Sequence, residues 1–461
     1  MLMRAGFLIL TVLVGSIEPW DLAQAALERD APDRSKTVPD RLSLHEAIDL
    51  AFAQNPDLAA AEARIGQAEA KVAEVAAGFY PKLTTRVGYD YTNNPALAFS
   101  YIVAQRRFNA NMNDFNSQIN NPGYVSNFRP EVIGTINLYR GGQDDYLKEA
   151  AELGVKASEL EHAALRNRLA AAVTAAYYAV VSAPKQLVVA QQSLGTVQRE
   201  VELTREKLKE GVALRGDVLS LEVRQQSAHE TEIQAQNNIT LSKSALKTLL
   251  GNTQKELPEV REMELPLPKI GQALPEALEL AFAQRPEVSA ATHQVEIRNH
   301  ELDAARGALW PRVNAYAAYG SNSQTLDPDS YRGNATIGVN AELDVFSGGA
   351  TNAQISAAER RVAEAQALEQ KVRLNVEQEV RQTHATLTQA LERLAVNERS
   401  ALASEEALRL VSEQYHGGTA TVTRYLEAET DRATAAMRLL VARFETQVAE
   451  AQLLEAMGHW R

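Results

Sequence analysis

The chain has 461 residues, 45% of them hydrophobic and 23% charged, enough to bury a large core, and its formal net charge is −12. It contains no Cys, which excludes disulfides, thiolate metal sites and a cysteine nucleophile. The acidic balance argues against nucleic acid as a partner, because neutralising phosphates takes clustered Lys and Arg. The scattered His residues show no paired spacing for a metal, and no cofactor is expected.

Taken in chain order, Arg4 precedes an apolar run from Ala5 to Val14 and a small-residue site, Ala23-Gln24-Ala25. Residues 1–25 read as a secretory signal peptide, too short to cross a bilayer as a helix. Without Cys, the mature N-terminus cannot carry a thioether-linked lipid. No later stretch stays apolar for the ~18 residues a spanning helix requires, so any membrane crossing must use strands.

A helical stretch is expected from Ser43 to Phe79, with Ser43 and Glu46 as a capping box, ending before Pro81. Leu83 to Tyr91 then alternates: Leu83, Thr85, Val87, Tyr89 and Tyr91 face one way, and Thr84, Arg86, Gly88 and Asp90 the other. A loop from Thr92 to Pro130 leads to a second alternating run, with Val132, Gly134, Ile136 and Leu138 opposite Ile133, Thr135, Asn137 and Tyr139. Gly142 to Glu210 reads as one helix of roughly 100 Å, interrupted only by Pro184, where a kink is expected. Its later part carries a coiled-coil seam of Leu187, Ala190, Leu194, Val197, Val201, Thr204 and Leu208. Gly211 to Gly216 is a turn, and a shorter helix runs from Asp217 to Leu250. Glu256 to Pro275, with three further prolines, reads as a non-helical crossover.

The chain then repeats itself. Ala47 to Pro56 returns as Ala277 to Pro286, and Phe79-Tyr80-Pro81 as Leu309-Trp310-Pro311. The displacement falls from 230 to 207 residues between Tyr91 and Val132, so the first copy holds 23 more residues there, in a loop. Residues 26–251 form one structural repeat, 252–272 a linker and 273–461 the second repeat. The second copy's strands are Val313 to Gly320 and Thr336 to Phe346, joined by a loop from Ser321 to Asn334. Ile337, Val339, Ala341, Leu343 and Val345 oppose Asn340, Glu342 and Asp344, which suits a barrel greasy outside and wet inside. In each copy two short helices stacked end to end are expected to pack beside one long one. Four strands cannot close a membrane barrel, so the chain must oligomerise to hide its strand edges. Two copies give eight strands and three give twelve, and physics alone does not choose.

The doubled plan resembles the TolC family of outer-membrane efflux proteins over Leu42 to Gly458. It is carried by Phe79-Tyr80-Pro81 and Leu309-Trp310-Pro311 before strands, by Leu138-Tyr-Arg-Gly-Gly142 and Val345-Phe-Ser-Gly-Gly349 before long helices, and by Gly211…Asp217-Val218-Leu219 beside Tyr415-His-Gly-Gly418…Tyr425-Leu426. The resemblance implies a mainly α fold with a small β part. Three chains would build a long α-helical coiled-coil barrel and one twelve-stranded transmembrane β-barrel. It further implies a homotrimer in the outer membrane, in contact with its lipid and with a long periplasmic extension. A periplasmic adaptor protein and an inner-membrane transporter would be its partners, in a tripartite efflux or type I secretion system.

The resemblance also places a constriction at the helix-hairpin turns. The family pattern there is Tyr-x-x-Gly followed six residues on by Asp; Tyr415 and Gly418 fit, but the Asp position holds Arg424, with Glu427 three residues later. The first copy has Leu208 in place of the Tyr and keeps Asp217. Asp217, Tyr415, Arg424 and Glu427 are therefore the gate candidates, with an Asp217–Arg424 tie and an acidic ring of Glu427 as the expected contacts. Gly211, Gly216, Gly417 and Gly418 mark the adaptor-docking turns. The competing reading is that Asp217, Arg424 and Glu427 are ordinary solvated helix charges.

Two other functions compete. A coiled-coil structural or scaffold protein of the envelope would share the heptads but has no use for amphipathic strands. An enzyme needs a converging acid, base and nucleophile, and none is evident; Gly211 to Gly216 lacks the Lys-Ser/Thr of a phosphate loop.

Overall fold

The computed structural model describes residues 41–109, 119–251, 259–261, 273–326 and 330–460. The expected signal peptide lies outside them, as does all of the 252–272 linker except residues 259–261.

The first copy contains β1 (Arg41–Leu42), α1 (Leu44–Gln54), α2 (Pro56–Ala76), β2 (Lys82–Thr92), α3 (Pro95–Ala104), β3 (Val125–Arg140), α4 (Gln143–Lys209) and α5 (Arg215–Leu249). After β4 (Glu259–Val260), the second copy contains α6 (Leu274–Gln284), α7 (Pro286–Gly307), β5 (Arg312–Ser321), β6 (Gly333–Glu342), α8 (Ala350–His416) and α9 (Val422–Ala456). The long helices α4 and α8 each have 67 residues, and α5 and α9 each have 35.

The helix expected over Ser43 to Phe79 is two helices and a short 3-10 turn, Ala77–Phe79. The break falls at Asn55, because a residue before proline is pushed out of the helical region; Asn55 sits at φ −67° and ψ 126°. The second copy breaks in the same way at Arg285, φ −69° and ψ 122°. The expected Ser43–Glu46 capping box is formed. Pro184 does not end α4. Pro275 lies in the first turn of α6 rather than in the crossover, where its missing N–H costs nothing.

The described residues fall into two compact units that cut across the repeat. One takes its described residues from within Met1–Gly66, Ser158–Ala290 and Gln370–Arg461. Its cores are helical: Leu42, Ile48, Leu58, Val173, Tyr177 and Leu246 bury one another, and Ala277, Val288, Val376, Val380, Leu387 and Leu453 form the second-copy counterpart. Here β1 pairs in parallel with β4, and the Tyr177 hydroxyl donates to the carbonyls of Leu42 and Arg261, at 3.2 and 3.0 Å.

The other unit, Gln67–Ala157 and Ala291–Glu369, holds an antiparallel four-stranded sheet in the order β2-β3-β5-β6. Directly opposed residues share a face, so the register sorts the side chains. Leu83, Gly134, Ala317 and Ile337 align across all four strands, as do Thr85, Val132, Tyr319 and Ala335; Val87 opposes Pro130, and Tyr89 opposes Phe128. That face is apolar and open, with Val87 68% and Ile337 84% exposed. The other face aligns Asn137, Asn314 and Asn340, then Arg140, Arg312 and Glu342. On it Arg86 pairs with Glu131 at 3.3 Å, and Arg312 pairs with Asp344 at 3.1 Å.

The strands depart from expectation in a bulge and at two boundaries. A β-bulge between Asn137 and Tyr139 leaves Leu138 unpaired, so Tyr139 turns onto the apolar face, opposite Val313. β3 begins at Val125 and runs through Pro130. The proline is tolerated because the β3–β5 ladder starts only at Glu131, and its missing donor falls between that ladder and the isolated Phe128–Ser323 bridge. β6 ends at Glu342, leaving Leu343 to Phe346 beyond the strand. Edges β2 and β6 carry no partner strand among the described residues.

Candidate functional site

The two helix hairpins, α4–α5 and α8–α9, reverse through turns of the same geometry. Gly211 and Gly418 take left-handed backbone, φ 80° and 76°, which glycine adopts without cost. The N–H of Val212 donates to the Lys207 carbonyl at 2.9 Å, and the N–H of Thr419 to the Gln414 carbonyl at 2.8 Å. Gly417 continues the helical ladder, its N–H bonding the Glu413 carbonyl. Gly216 lies inside the first turn of α5 rather than in the loop, so it is not a turn residue.

Each turn keeps one half of a capping box. In the first, the Asp217 carboxylate accepts from the Leu214 N–H at 3.2 Å, while Leu214 offers no side-chain acceptor. In the second, the Thr421 hydroxyl accepts from the Arg424 N–H at 3.3 Å. The second copy has Arg where the first has Asp, and its cap is the Thr421 side chain instead. Arg424 pairs with Glu427 at 3.2 Å on the exposed face of α9. Within the chain Asp217 and Arg424 therefore have separate partners. The turns also differ on their surfaces: the first shows Val212 and Leu214, 74% and 73% exposed.

Above the turns the hairpins are tied together. Val197, Val201, Leu221 and Val422 form a buried cluster, extended by Tyr415 and Leu426. Tyr415 stacks on Tyr425 with ring centroids 5.2 Å apart, and the Lys207 ammonium lies 5.2 Å from the Tyr415 ring centre. Burial holds the Tyr415 phenol above its usual range and pushes Tyr425 up to about 12, so both stay neutral near pH 7. The Tyr415 hydroxyl meets the Thr204 hydroxyl at 3.3 Å, joining α8 to α4. His416 Nε2 lies 3.6 Å from the buried Glu200 carboxylate, again α8 to α4.

The strongest tie is one that the sequence reading missed. Glu429 on α9 has no exposed surface, and its carboxylate accepts from Ser193 on α4 at 2.7 Å and from Arg224 on α5 at 3.3 and 3.0 Å, with Arg432 at 3.6 Å. Its spacing held the signal: Val422, Tyr425 and Glu429 fall three and four apart on one helical stripe, so Glu429 points inward while Glu427 is exposed. These contacts pair donors and acceptors between the two hairpins and so join α4 and α5 to α9. Among the described residues no group of three or more His, Cys, Asp or Glu is placed to hold a metal.

Long helical hairpins repeated twice, on a chain whose four-stranded sheet has an apolar face and two open edges, define the subunit plan of an outer-membrane channel. The family profile described as "Outer membrane efflux protein" matches residues 47–252 and 277–459, and the chain belongs to that family, whose members lie in the outer membrane. It is 25% identical to the outer membrane efflux protein BepC of Brucella suis over 72% of this chain and 78% of that protein. It is 24% identical to the cation efflux system protein CusC of Escherichia coli over 89% and 85%. In fold it is similar to a membrane protein from Pseudomonas aeruginosa, with a TM-score of 0.79 at 22% identity, covering 90% of this chain and 93% of that one.

Proposed function

We propose that three copies of this chain form the passive exit duct of a tripartite efflux or type I secretion system. In each interface β6 of one copy pairs with β2 of the next, giving a twelve-stranded barrel with the Val87–Ile337 face toward lipid and the Asn137–Asn340 ladder toward water. The helices continue the duct into the periplasm. There the hairpin turns at Gly211 and at Gly417-Gly418 meet a periplasmic adaptor, which links the duct to an inner-membrane transporter.

The observation that carries this reading is the sheet: an apolar face exposed along its length, a polar face laddered with Asn and ion pairs, and, among the described residues, no partner strand on either edge. Water tolerates none of these together, whereas a closed barrel in lipid satisfies all three. The gate is proposed at the level of Asp217, Tyr415, Arg424 and Glu427, where both hairpins reverse. Analytical ultracentrifugation of the detergent-purified protein tests the assembly. A species of three chains is expected, and a monomer at all concentrations would contradict it.

A further inference from the structure

The 23 extra residues of the first copy are the one large departure from the repeat, and they carry helix α3. Both ends of this helix are fixed to the sheet of its own unit. At its start the Thr92 hydroxyl accepts from the Asn94 N–H at 3.0 Å, and the Asn94 side chain accepts from the N–H groups of Ala96 and Leu97, at 3.1 and 3.3 Å. Pro95 follows at the first helical position, where its fixed φ suits helix entry. At its end Gln105 is 1% exposed, and its amide donates to the Ser126 carbonyl at 2.8 Å and to Asn127 Oδ1 at 3.0 Å. Asn127, itself fully buried, donates onward to Asn322 at 2.9 Å, tying in the loop of the second copy. Arg106, the one non-glycine residue with positive φ among those described, then turns the chain away at φ 54°.

The face on which α3 lies follows from the register. Asn127 opposes Asp90, and Arg129 opposes Gly88, so all four belong to the polar face. The Tyr101 hydroxyl faces the Asp90 carboxylate and lies in the field of Arg129. Asp90 Oδ2 and Arg129 Nε are both buried without a hydrogen-bond partner. The apolar face at the same level remains open: Tyr89 and Tyr91 are exposed, and Tyr91 stacks on Tyr124, at 4.8 Å. Leu97, Phe99 and Val103 on the helix remain exposed as well, although the face beneath it is the wet one.

We propose that α3 is a lid latched over the polar face at the loop end of the sheet, so that in the assembled duct it narrows the outer mouth. Gln105 and Tyr101 are the latch. The lid belongs to the first copy alone, because the second copy's corresponding loop is 23 residues shorter. This inference rests on the barrel reading above, in which the polar face lines the lumen. Its physical logic is that the fixed points of the lid are polar, Gln105 on Ser126 and Asn127 at one end and Asn94 on the Ala96 and Leu97 N–H groups at the other. The lid is thus held by a few specific hydrogen bonds rather than by deep apolar burial, an arrangement suited to opening.

The test exploits the absence of native Cys. Thr135→Cys places one thiol on the polar face, opposite Lys82 and Tyr316 and away from α3. Intact cells are treated from outside with a small membrane-impermeant maleimide and with a bulky polymer-linked one, in the Thr135→Cys background with native latch, with Gln105→Ala, and with Tyr101→Phe. The small reagent should react at the same rate in all three. Loss of latch hydrogen bonds should raise the bulky reagent's rate about tenfold. Equal bulky-reagent rates with and without the latch would overturn the lid while leaving the barrel reading intact. If neither reagent reaches Thr135→Cys in any variant, whereas both reach Tyr101→Cys, the polar face does not line an outward-open lumen and the barrel reading falls with the lid.

Discussion

Arg224 on α5 reaches across to the fully buried Glu429 on α9, with Nη2 3.0 Å from Oε2, and so ties one helix hairpin to the other above their turns. Removing the cation while leaving the carboxylate buried is costly. Arg224→Met is expected to destabilise the protein by on the order of 3 kcal/mol, read as a drop in the denaturation midpoint in detergent. Adding Glu429→Gln should recover part of that loss, because the double variant no longer buries an under-compensated charge. A double variant whose loss equals the sum of its singles would mean the two residues do not act as a pair.

At the turns Asp217 and Arg424 have different partners, Leu214 N–H and Glu427. Asp217→Ala should cost about 0.5 to 1 kcal/mol through the lost cap, and Arg424→Ala only a few tenths through an exposed pair. Single-channel recordings are expected to show larger or longer openings for Asp217→Ala, a smaller effect for Arg424→Ala, and additive behaviour in the double variant. Strong non-additivity would reveal an Asp217–Arg424 contact made between subunits.

Burial raises the Glu455 carboxyl to about 7, with Glu379 adding to the effect. Its folded-state value therefore lies above the unfolded one of about 4.3. The stability this protonated carboxyl contributes is complete below about pH 4, fades as pH rises toward 7, and is gone above it, a change on the order of 2 to 3 kcal/mol. Melting temperature measured across this window should fall for the native protein relative to Glu455→Gln. Parallel curves would place Glu455 in a more solvated setting than the structure gives it.

The segment between β2 and β3 joins two strands at the end opposite the long helices, and so does that between β5 and β6. Protease added to intact cells should cut the first, longer one in preference. Cleavage at Gly211 to Ala213 instead would mean the orientation is inverted.

Much of this was legible in the sequence because period carries it. Alternation over Leu83 to Tyr91 and Ile337 to Val345 exposed the amphipathic strands, and the duplicated Ala47 to Pro56 exposed the repeat. What failed was local. Pro56 and Pro286 break helices whose apolar pattern runs on unchanged. The bulge at Leu138 moves Tyr139 to the other face without altering the alternation. Glu429 reads as a surface charge until its stripe is drawn from Val422 and Tyr425, and its partner Arg224 is 205 residues away. Helix α3 was hidden because a loop inserted in one copy has no counterpart against which to compare it.

The most direct measurement is conductance of the purified wild-type protein reconstituted into planar lipid bilayers. A duct built from three copies predicts discrete, stepwise ion-conducting events that scale with incorporated trimers. A protein that inserts into the bilayer as a stable oligomer yet passes no ions, even after Asp217→Ala and Tyr415→Phe loosen the hairpin end, would contradict an exit duct.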